Sequence, residues 1–403
     1  MGPQSVGIRQ CPYGGVCLSQ DASYEEGDIS RRKPLSDSDR RKADSGTHTS
    51  LSGREKKVYQ IADRLFQLLL ILFVCEFDRC DKKADSSQDL IKTGVNRMDI
   101  CAVVVTYNRK ELLKQCLRAL LSQETPLTTV IIMDNASTDG TEELFAQPES
   151  VEGHTLVRYM RLEKNLGGSG GFHYGFREAV GTQCDWLLVL DDDAILEPDF
   201  CTRMLMAAAA YPDTECFTGN VKWFSKGSWR LTQETTDAYS EVERVTFVGA
   251  MIKRSLVERI GLPERDFFIW YDDTEYSMRM REHTNIISVN EAIAVHMQKE
   301  EVDVGLSWKK FYGMRNYVIV RLKYTKGPLK CLRKALFLFG YTIRFLAACV
   351  VKQLLLGRSI RKFRVKLSLG MTAILHGVRN IQGVHPLYMP GRPIGGVYDE
   401  TKS

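Results

Sequence analysis

From Ile100 onward, short continuous apolar runs alternate with stretches in which apolar residues recur every three or four positions. Continuous runs are typical of strands buried on both faces of a parallel sheet, whereas the wider spacing is typical of amphipathic helices. The four clearest runs are residues 101–105, 130–133, 157–162 and 186–190. The pattern therefore predicts an α/β fold, with a mostly parallel sheet flanked by helices.

The segments between and after these runs predict the other elements. Helical spacing follows the first run at Leu113, Cys116, Leu117, Leu120 and Leu121, and the side chain of Asn108 is the expected N-cap of that helix. A further helix is expected over 204–210. Segments 221–224 and 245–248 are candidates for additional strands, although the sequence does not indicate how they pair.

Polar or acidic residues follow three of the four runs, and the triplet 191–193 follows the last one. In open α/β sheets, ligands bind at the carboxyl ends of the strands. Alternate carboxylates at a strand end point the same way, so Asp191 and Asp193 could share a hard divalent cation such as Mg²⁺ or Mn²⁺. An isolated acidic triplet is also typical of a solvated turn, but its position at a strand end favours the metal.

Residues 165–175 include five glycines ahead of a helical stretch, which would let backbone N–H groups approach a phosphate or a ribose. Their spacing matches neither the dinucleotide fingerprint nor the P-loop. A glycine-rich turn with a purely structural role is therefore the alternative interpretation.

Two further features could contribute to catalysis. Asp272 and Asp273 follow five apolar or aromatic residues, and partial burial would raise the pKa of such a carboxyl toward that of a general base. Either aspartate could instead be a helix N-cap. His296 follows the apolar run 292–295 and could be a metal ligand, although an isolated histidine of this kind is more often a core residue.

Composition and charge narrow the class of protein. With 403 residues and 44% apolar content, the chain can bury a sizeable core. The net charge of +5 arises from 55 basic and 50 acidic residues, so the charge balance does not imply a nucleic-acid partner, and we expect none. Eleven cysteines without paired CxxC spacing indicate a reducing compartment, and no signal-peptide pattern is visible at the N-terminus.

Five segments, taken together and in this order, resemble the family 2 glycosyltransferases, which have the GT-A fold. The segments are 103–109, 134–140, 165–172, 191–193 and 270–276. The run Asn-Leu-Gly-Gly-Ser-Gly-Gly-Phe and the block Asp-Asp-x-Glu-Tyr are most similar to bacterial galactofuranosyltransferases, with rhamnosyltransferases next. The resemblance covers about residues 98–325 and implies a GT-A-type, Rossmann-like sheet.

The resemblance also implies roles for individual residues. Asp191, Asp193 and His296 would hold Mn²⁺ or Mg²⁺, and Asp273 would be the catalytic base. Many family members carry Glu-Asp where this chain has Asp272-Asp273, so Asp272 is the alternative base. The residues implied in binding the nucleotide part of the donor are Thr106, Arg109, Asp134, Asn135, Asn165, Gly168 and Asp192.

An inverting transfer follows from the resemblance, with a sugar moving from a UDP-sugar or dTDP-sugar to a glycan or lipid-linked glycan acceptor. Galactofuranose and cell-envelope polysaccharide synthesis are favoured, and transfer from dTDP-rhamnose is the alternative. Two other classes stay open: a nucleotidyltransferase, which usually has a Gly-rich, basic loop directly after its first strand, and a non-catalytic nucleotide-sugar-binding module.

The domain organisation follows from composition and from the resemblance. Residues 1–97 are expected to be a mostly disordered extension, and their apolar run 65–74 is too short to span a bilayer as a helix. Residues 98–307 are expected to form the GT-A catalytic domain, beginning at Met98.

Residues 308–403 combine basic clusters with an apolar stretch at 335–357, which is ambiguous between an amphipathic and a spanning helix. We expect this region to attach peripherally to the cytoplasmic face of the cell membrane. A basic, solvated pair of helices capping the catalytic domain is the alternative.

Overall fold

The computed structural model describes residues 98–145, 147–225, 227–297, 307–356, 359–392 and 394. The expectation of a mostly disordered extension over 1–97, which includes the apolar run 65–74, lies outside this part of the chain.

Eleven strands in the described residues form one mixed sheet. Their bounds are β1 Ile100–Thr106, β2 Thr129–Asp134, β3 Glu149–Glu152, β4 Thr155–Arg161, β5 Trp186–Asp191, β6 Ala194–Leu196, β7 Cys216–Ser225, β8 Ser228–Leu231, β9 Tyr239–Glu241, β10 Ala250–Lys253 and β11 Ile286–His296. The sheet order is β3-β4-β2-β1-β5-β10-β7-β11-β6, with β8 added to β7 and β9 added to β11.

The parallel strands lie where the apolar runs predict them. β4, β2, β1 and β5 are mutually parallel neighbours, and β7 and β11 form a second parallel pair. β10 joins the two groups by pairing antiparallel with β5 and with β7. The predicted α/β class, with a Rossmann-like parallel core, is therefore confirmed, and antiparallel strands extend that core.

Eight α-helices accompany the sheet in the described residues. Their bounds are α1 Lys110–Leu121, α2 Gly167–Gly181, α3 Phe200–Ala210, α4 Arg254–Ile260, α5 Asp272–Met280, α6 Trp308–Lys323, α7 Lys330–Leu356 and α8 Ile360–Val378. A hydrophobic core lies on each face of the sheet, because alternate residues of the buried strands point to opposite faces. Val104 belongs to one core, and Val103 and Val105 belong to the other.

Two local predictions were wrong. Asn108 is not the N-cap of α1; it adopts a left-handed conformation, and its Oδ1 accepts a hydrogen bond from Thr138 N at 2.7 Å. Asp139, from the loop after β2, accepts the hydrogen bond of Lys110 N instead, at 2.9 Å. Residues 245–248 are not a strand, and the backbone N–H of Val245 donates to the Ser277 hydroxyl at 3.0 Å rather than to a neighbouring strand.

The predicted helical C-terminal region is confirmed over α6, α7 and α8. α6 and α8 pack together in a small core with Phe268, and that core includes Phe311, Tyr312, Leu369 and Ala373. α7 is mostly exposed: its segment Lys330–Val351 is long and apolar enough to cross a membrane by length and composition, with a mean hydropathy of 1.7 and 6% of its window buried.

Candidate active site

Three parallel strands bring the first group of site residues to one edge of the sheet. In the β1–β5 pairing, Val105 lies opposite Asp191, so the end of β1 and the start of the acidic triplet are neighbours. In the β1–β2 pairing, Thr106 lies opposite Asp134. The carboxyl ends of β1, β2 and β5 therefore converge, as the sequence predicts.

Asp192, the middle residue of the triplet, anchors the loop after β1. Its Oδ2 accepts a hydrogen bond from the Thr106 hydroxyl at 2.7 Å, and its Oδ1 lies 3.0 Å from Arg109 Nη1. Arg109 Nη1 also contacts Asp193 Oδ2 at 2.6 Å. Arg109 thus bridges two carboxylates that are both buried.

Asp191, Asp193 and His296 offer ligand atoms that all lie within 4.8 Å of one another. Asp193 Oδ1 is buried and has no hydrogen-bond partner among the described residues, although His296 Nε2 lies 3.1 Å from it. An unpartnered buried carboxylate oxygen is costly unless a cation or a proton donor satisfies it. Two carboxylates and an imidazole that face one point fit a divalent cation such as Mn²⁺ or Mg²⁺.

The electrostatics of the triplet favour a cation at this point. Burial raises the pKa of Asp191 well above its usual range, and the charges of Asp193 and Asp192 add to that effect. Burial also raises the pKa of Asp192, to about 6, although Arg109 opposes it. For Asp193, burial acts upward, but His296 and Arg109 bring the pKa below its ordinary value. A further positive charge would relieve this crowding of carboxylates.

A cavity of about 610 Å³ contains both groups of acidic residues. Asp191, Asp193 and His296 line one part of it, and Asp272 and Asp273 also line it. These acidic residues and His296, from three separated stretches of chain, therefore share one cleft. Among the other predicted site residues, Arg109 and Gly168 also face this cavity.

Asp272 and Asp273 are the first two residues of α5, and Tyr271 occupies the N-cap position without a side-chain capping bond. The N-cap alternative for these aspartates was therefore wrong. Burial, with the charge of Asp273, raises the pKa of Asp272 to about 7. Burial also raises the pKa of Asp273, whose Oδ1 accepts hydrogen bonds from Thr274 N at 2.6 Å and from the Thr274 hydroxyl at 3.1 Å.

Three residues implied in nucleotide binding have partners within the protein. Asp134 is fully buried; its Oδ1 accepts from Ser137 N and from the Ser137 hydroxyl, and its Oδ2 accepts from Tyr159. Asn135 donates to Gly167 O at 3.1 Å, and Asn165 accepts from Gly167 N at 2.7 Å. None of the three lines the cavity, and these contacts hold the loops that border it.

All five glycines in segment 165–175 lie within the bounds of α2 rather than in a turn ahead of it. A Cβ on Gly171 would lie 2.4 Å from Val105 Cγ1, and one on Gly175 would lie 2.3 Å from Val103 Cγ1. These glycines let α2 pack directly on β1. Of the five, Gly168 lines the cavity. That a phosphate or a ribose lies against this segment stays a prediction.

Several cavity residues were not singled out from the sequence. They are Arg244, Thr246, Phe247, Val248, Ile269, Thr274 and Lys309. The first four belong to the loop between β9 and β10, part of which the sequence suggested as a strand. No local motif marks that loop, because its approach to the acidic triplet depends on the pairing of β10 with β5 and β7.

Comparison with known proteins shows what the described domain is similar to. Residues 101–267 match the glycosyl transferase family 2 model. The chain is 26% identical over 205 residues to galactofuranosyltransferase GlfT1 of Mycolicibacterium smegmatis, an alignment that covers 45% of this chain and 65% of that protein. It is also 26% identical over 277 residues to GlfT2 of the same organism, covering 58% of this chain and 42% of that protein.

A solved structure, the mannosyltransferase PcManGT from Pyrobaculum calidifontis in complex with GDP-Man and Mn²⁺, aligns with a TM-score of 0.46 at 14% identity, covering 81% of this chain and 96% of that chain. The alignments with the two galactofuranosyltransferases cover less than two thirds of the length of either protein. Residues 101–267 are thus similar to a family 2 glycosyltransferase domain, and the curated relatives of the chain include galactofuranosyltransferases.

Proposed function

We propose that this protein is an inverting glycosyltransferase that transfers a sugar, galactofuranose by preference, from a UDP-sugar or dTDP-sugar to a glycan or lipid-linked glycan. One observation carries the proposal: the cavity is lined by Asp191, Asp193 and His296, whose ligand atoms lie within 4.8 Å of one another, and by a second pair of carboxylates, Asp272 and Asp273. Displacement at an anomeric carbon needs two such groups, one for the departing diphosphate and one for the attacking hydroxyl.

One group of residues in the cavity would stabilise the departing diphosphate. A divalent cation held by Asp191, Asp193 and His296 would supply positive charge to stabilise the departing diphosphate. Arg109, now bridging Asp192 and Asp193, adds a fixed positive charge beside the same point.

On the acceptor side, Asp273 takes the proton of the attacking hydroxyl. Aromatic side chains of the cavity wall, including Phe172, Phe247 and Trp270, limit competing attack by water. Holding both substrates in line supplies the entropic part of the acceleration.

The choice of base follows from exposure. Asp273 is partly exposed to the cavity whereas Asp272 is buried, so Asp273 is better placed to touch an acceptor hydroxyl. Asp272 is the second candidate, because a pKa of about 7 suits a base that works near neutrality. The two carboxyls are adjacent and influence each other, so they titrate as a pair.

The C-terminal helices support attachment to a membrane surface. α7 exposes large apolar side chains on a protein whose acceptor would be lipid-linked, and basic residues lie on α6 and at the start of α7. Such a combination suits the anionic, cytoplasmic face of a membrane. We therefore propose peripheral attachment at that face.

The test uses purified protein, UDP-galactofuranose and Mn²⁺, with and without a galactan acceptor. Asp193→Ala is expected to lose Mn²⁺-dependent donor binding and turnover together. Asp273→Asn is expected to keep donor binding but to lose transfer by about 100-fold or more, because only acceptor activation is removed. Calorimetry measures donor binding, and nucleotide release measures turnover.

Asp213→Ala, an exposed acidic residue in a turn, is the matched control and should behave as wild type. Release of pyrophosphate from a nucleoside triphosphate would indicate a nucleotidyltransferase instead. Donor binding without any nucleotide release, under every acceptor condition, would indicate a binding module.

A further inference from the structure

The segment that precedes the carboxylate pair has an unusual backbone. Phe268, Trp270 and Tyr271 have φ values of 69°, 64° and 71°, in the left-handed region that residues with side chains rarely adopt. Bulky side chains are disfavoured there, so such a conformation persists only when the surrounding structure holds it in place. Because Asp272 and Asp273 follow directly, whatever holds this segment also sets the direction of their side chains.

Two consecutive residues of α6 hold that segment. The side-chain amide of Asn316 donates to Phe267 O at 2.9 Å, to Ile269 O at 3.0 Å and to Trp270 O at 2.9 Å. Arg315 donates from Nη2 to Phe267 O at 2.9 Å and from Nε to Asn316 Oδ1 at 2.9 Å. The second contact fixes the orientation of the amide, so that its NH₂ group faces the loop.

Both side chains are enclosed by protein. Arg315 is 1% exposed and Asn316 is 0% exposed, so water cannot replace the hydrogen bonds that they make. Arg315 also donates to Asp266 O and to Gly383 O, which joins the loop to the chain after α8.

α6 also contacts the helix that carries the carboxylates. Glu275 of α5 is fully buried, and its Oε1 accepts from Lys323 Nζ at 2.8 Å and from the Tyr324 hydroxyl at 2.8 Å. At the other end of α6, a Cβ on Gly313 would lie 2.7 Å from the Trp270 ring. α6 thus contacts the chain on both sides of Asp272 and Asp273.

We infer that Asn316 is a positioning residue for the acceptor side of the site: it holds the carbonyls of Phe267, Ile269 and Trp270 so that Asp272 and Asp273 face the cavity. Asn316 acts through the backbone and itself touches no substrate. The inference rests on the proposed glycosyl transfer and adds to it a residue that lies outside the matched family segment.

The donor side should not depend on Asn316. Asp191, Asp193 and His296 lie at the end of β5, in the turn that follows and at the end of β11. The Asn316 amide donates to the carbonyls of Phe267, Ile269 and Trp270, and not to these residues. A positioning role therefore predicts a separation of effects: loss of transfer without loss of donor affinity. General destabilisation would weaken both.

The experiment compares two isosteric substitutions in the full chain. Asn316→Asp keeps the shape and the acceptor for Arg315 but removes the NH₂ donor. Asn220→Asp is the matched control, because Asn220 is equally buried and its amide donates to two backbone carbonyls, those of Gln233 and Asn290, away from the cavity. We measure melting temperature, Mn²⁺-dependent UDP-galactofuranose affinity, and kcat for transfer at saturating donor.

Asn316→Asp should lower kcat by about 100-fold while leaving donor affinity unchanged, since small misplacement of a reacting group has effects of that size. Asn220→Asp should lower the melting temperature without that loss of kcat. If the two variants lose kcat equally, or if Asn316→Asp keeps wild-type kcat, the inference is wrong. Should Asn316→Asp fail to fold, Arg315→Lys, which loses the Nε contact, must show the same separation.

Failure of the proposed function gives a different result. If the wild-type protein transferred no sugar, the proposed reaction would be wrong. The inference that Asn316 holds the backbone before Asp272 would still stand to be tested. In that case, amide hydrogen exchange over 268–273 still tests the positioning role: exchange should increase in Asn316→Asp and stay unchanged in Asn220→Asp. Unchanged exchange in both would overturn the inference.

Discussion

Asp272 is held in an environment that disfavours its charge. Burial, together with the charge of Asp273, raises its pKa from 3.8 to about 7. The folded protein therefore binds this proton more tightly than the unfolded chain does. Between about pH 4 and pH 7 the unfolded state releases the proton first, so stability falls as the pH rises through that window.

Replacing Asp272 by Asn should remove this dependence. We expect Asp272→Asn to be more stable than wild type at pH 8, by at most about 4 kcal/mol, and to show no gain at pH 4. Thermal unfolding in metal-free buffer at both pH values measures the difference. Asp213→Asn, an exposed carboxyl, is the control that should change nothing.

A failure of Asp272→Asn to stabilise the protein would decide between the two candidate bases. If Asp272→Asn were no more stable than wild type at pH 8, Asp272 would be ionised at little cost in the folded protein. Asp272 would then have no elevated pKa to recommend it as a base, and Asp273 would stand alone as the candidate.

At the scale of elements, glycines set how closely α2 packs on β1. Gly171 and Gly175 face Val105 and Val103 so closely that no side chain fits between helix and strand. Gly181, in the last turn of the same helix, has open space around it. One helix therefore contains both a glycine that packing requires and one that it does not.

Gly175→Ala should destabilise the protein by about 1–3 kcal/mol, because the new methyl group forces the helix away from the strand. Gly181→Ala should be neutral or slightly stabilising, since alanine favours a helix by up to about 1 kcal/mol over glycine. Urea unfolding of both variants makes the comparison. Equal effects would mean that the packing of α2 does not depend on glycine.

Several strands and one helix were predictable because the hydrophobic pattern that indicates each of them lies within the element itself. Continuous apolar runs gave β1, β2, β4 and β5 to within about two residues, and helical spacing gave α1. The acidic triplet and the carboxylate pair were also visible, because strand ends and aromatic flanks are adjacent to them in sequence.

Features that depend on distant contacts were not predictable. The glycines of α2 looked like a ligand-binding turn, since nothing nearby shows that Val103 and Val105 would pack against them. Arg315 and Asn316 lie almost fifty residues from the loop that they hold, in a stretch that reads only as a basic helix. The mistaken strand at 245–248 also depends on distant contacts, because Phe247 and Val248 line a cavity that forms only in the folded protein.

At the scale of the whole molecule, α7 presents an apolar surface that the rest of the described chain does not cover. Leu336, Phe339 and Ile343 are 54%, 69% and 51% exposed, and they lie at helical spacing on one stretch. Soluble monomers rarely leave such contiguous apolar surface in water. A bilayer surface would cover it, and basic residues at the start of α7 would meet anionic headgroups.

We expect Phe339→Asp together with Ile343→Asp to reduce sedimentation of the protein with vesicles that contain anionic phospholipid, since two charges would enter an apolar contact. Transfer to a water-soluble acceptor should be unchanged. Val151→Asp is the matched control, because Val151 of β3 is as exposed as Phe339 but belongs to no apolar helix.

Peripheral attachment and membrane spanning then differ in one measurement. Alkaline carbonate should release the wild-type protein from cell membranes if α7 lies on the surface, because only interfacial contacts hold it there. Retention in the pellet would mean that Lys330–Val351 crosses the bilayer, which its length and mean hydropathy of 1.7 permit. Full binding of the double variant to vesicles would instead show that the exposed face of α7 does not bind the membrane. The basic residues of α6 would then be the next candidates for contact with the membrane surface.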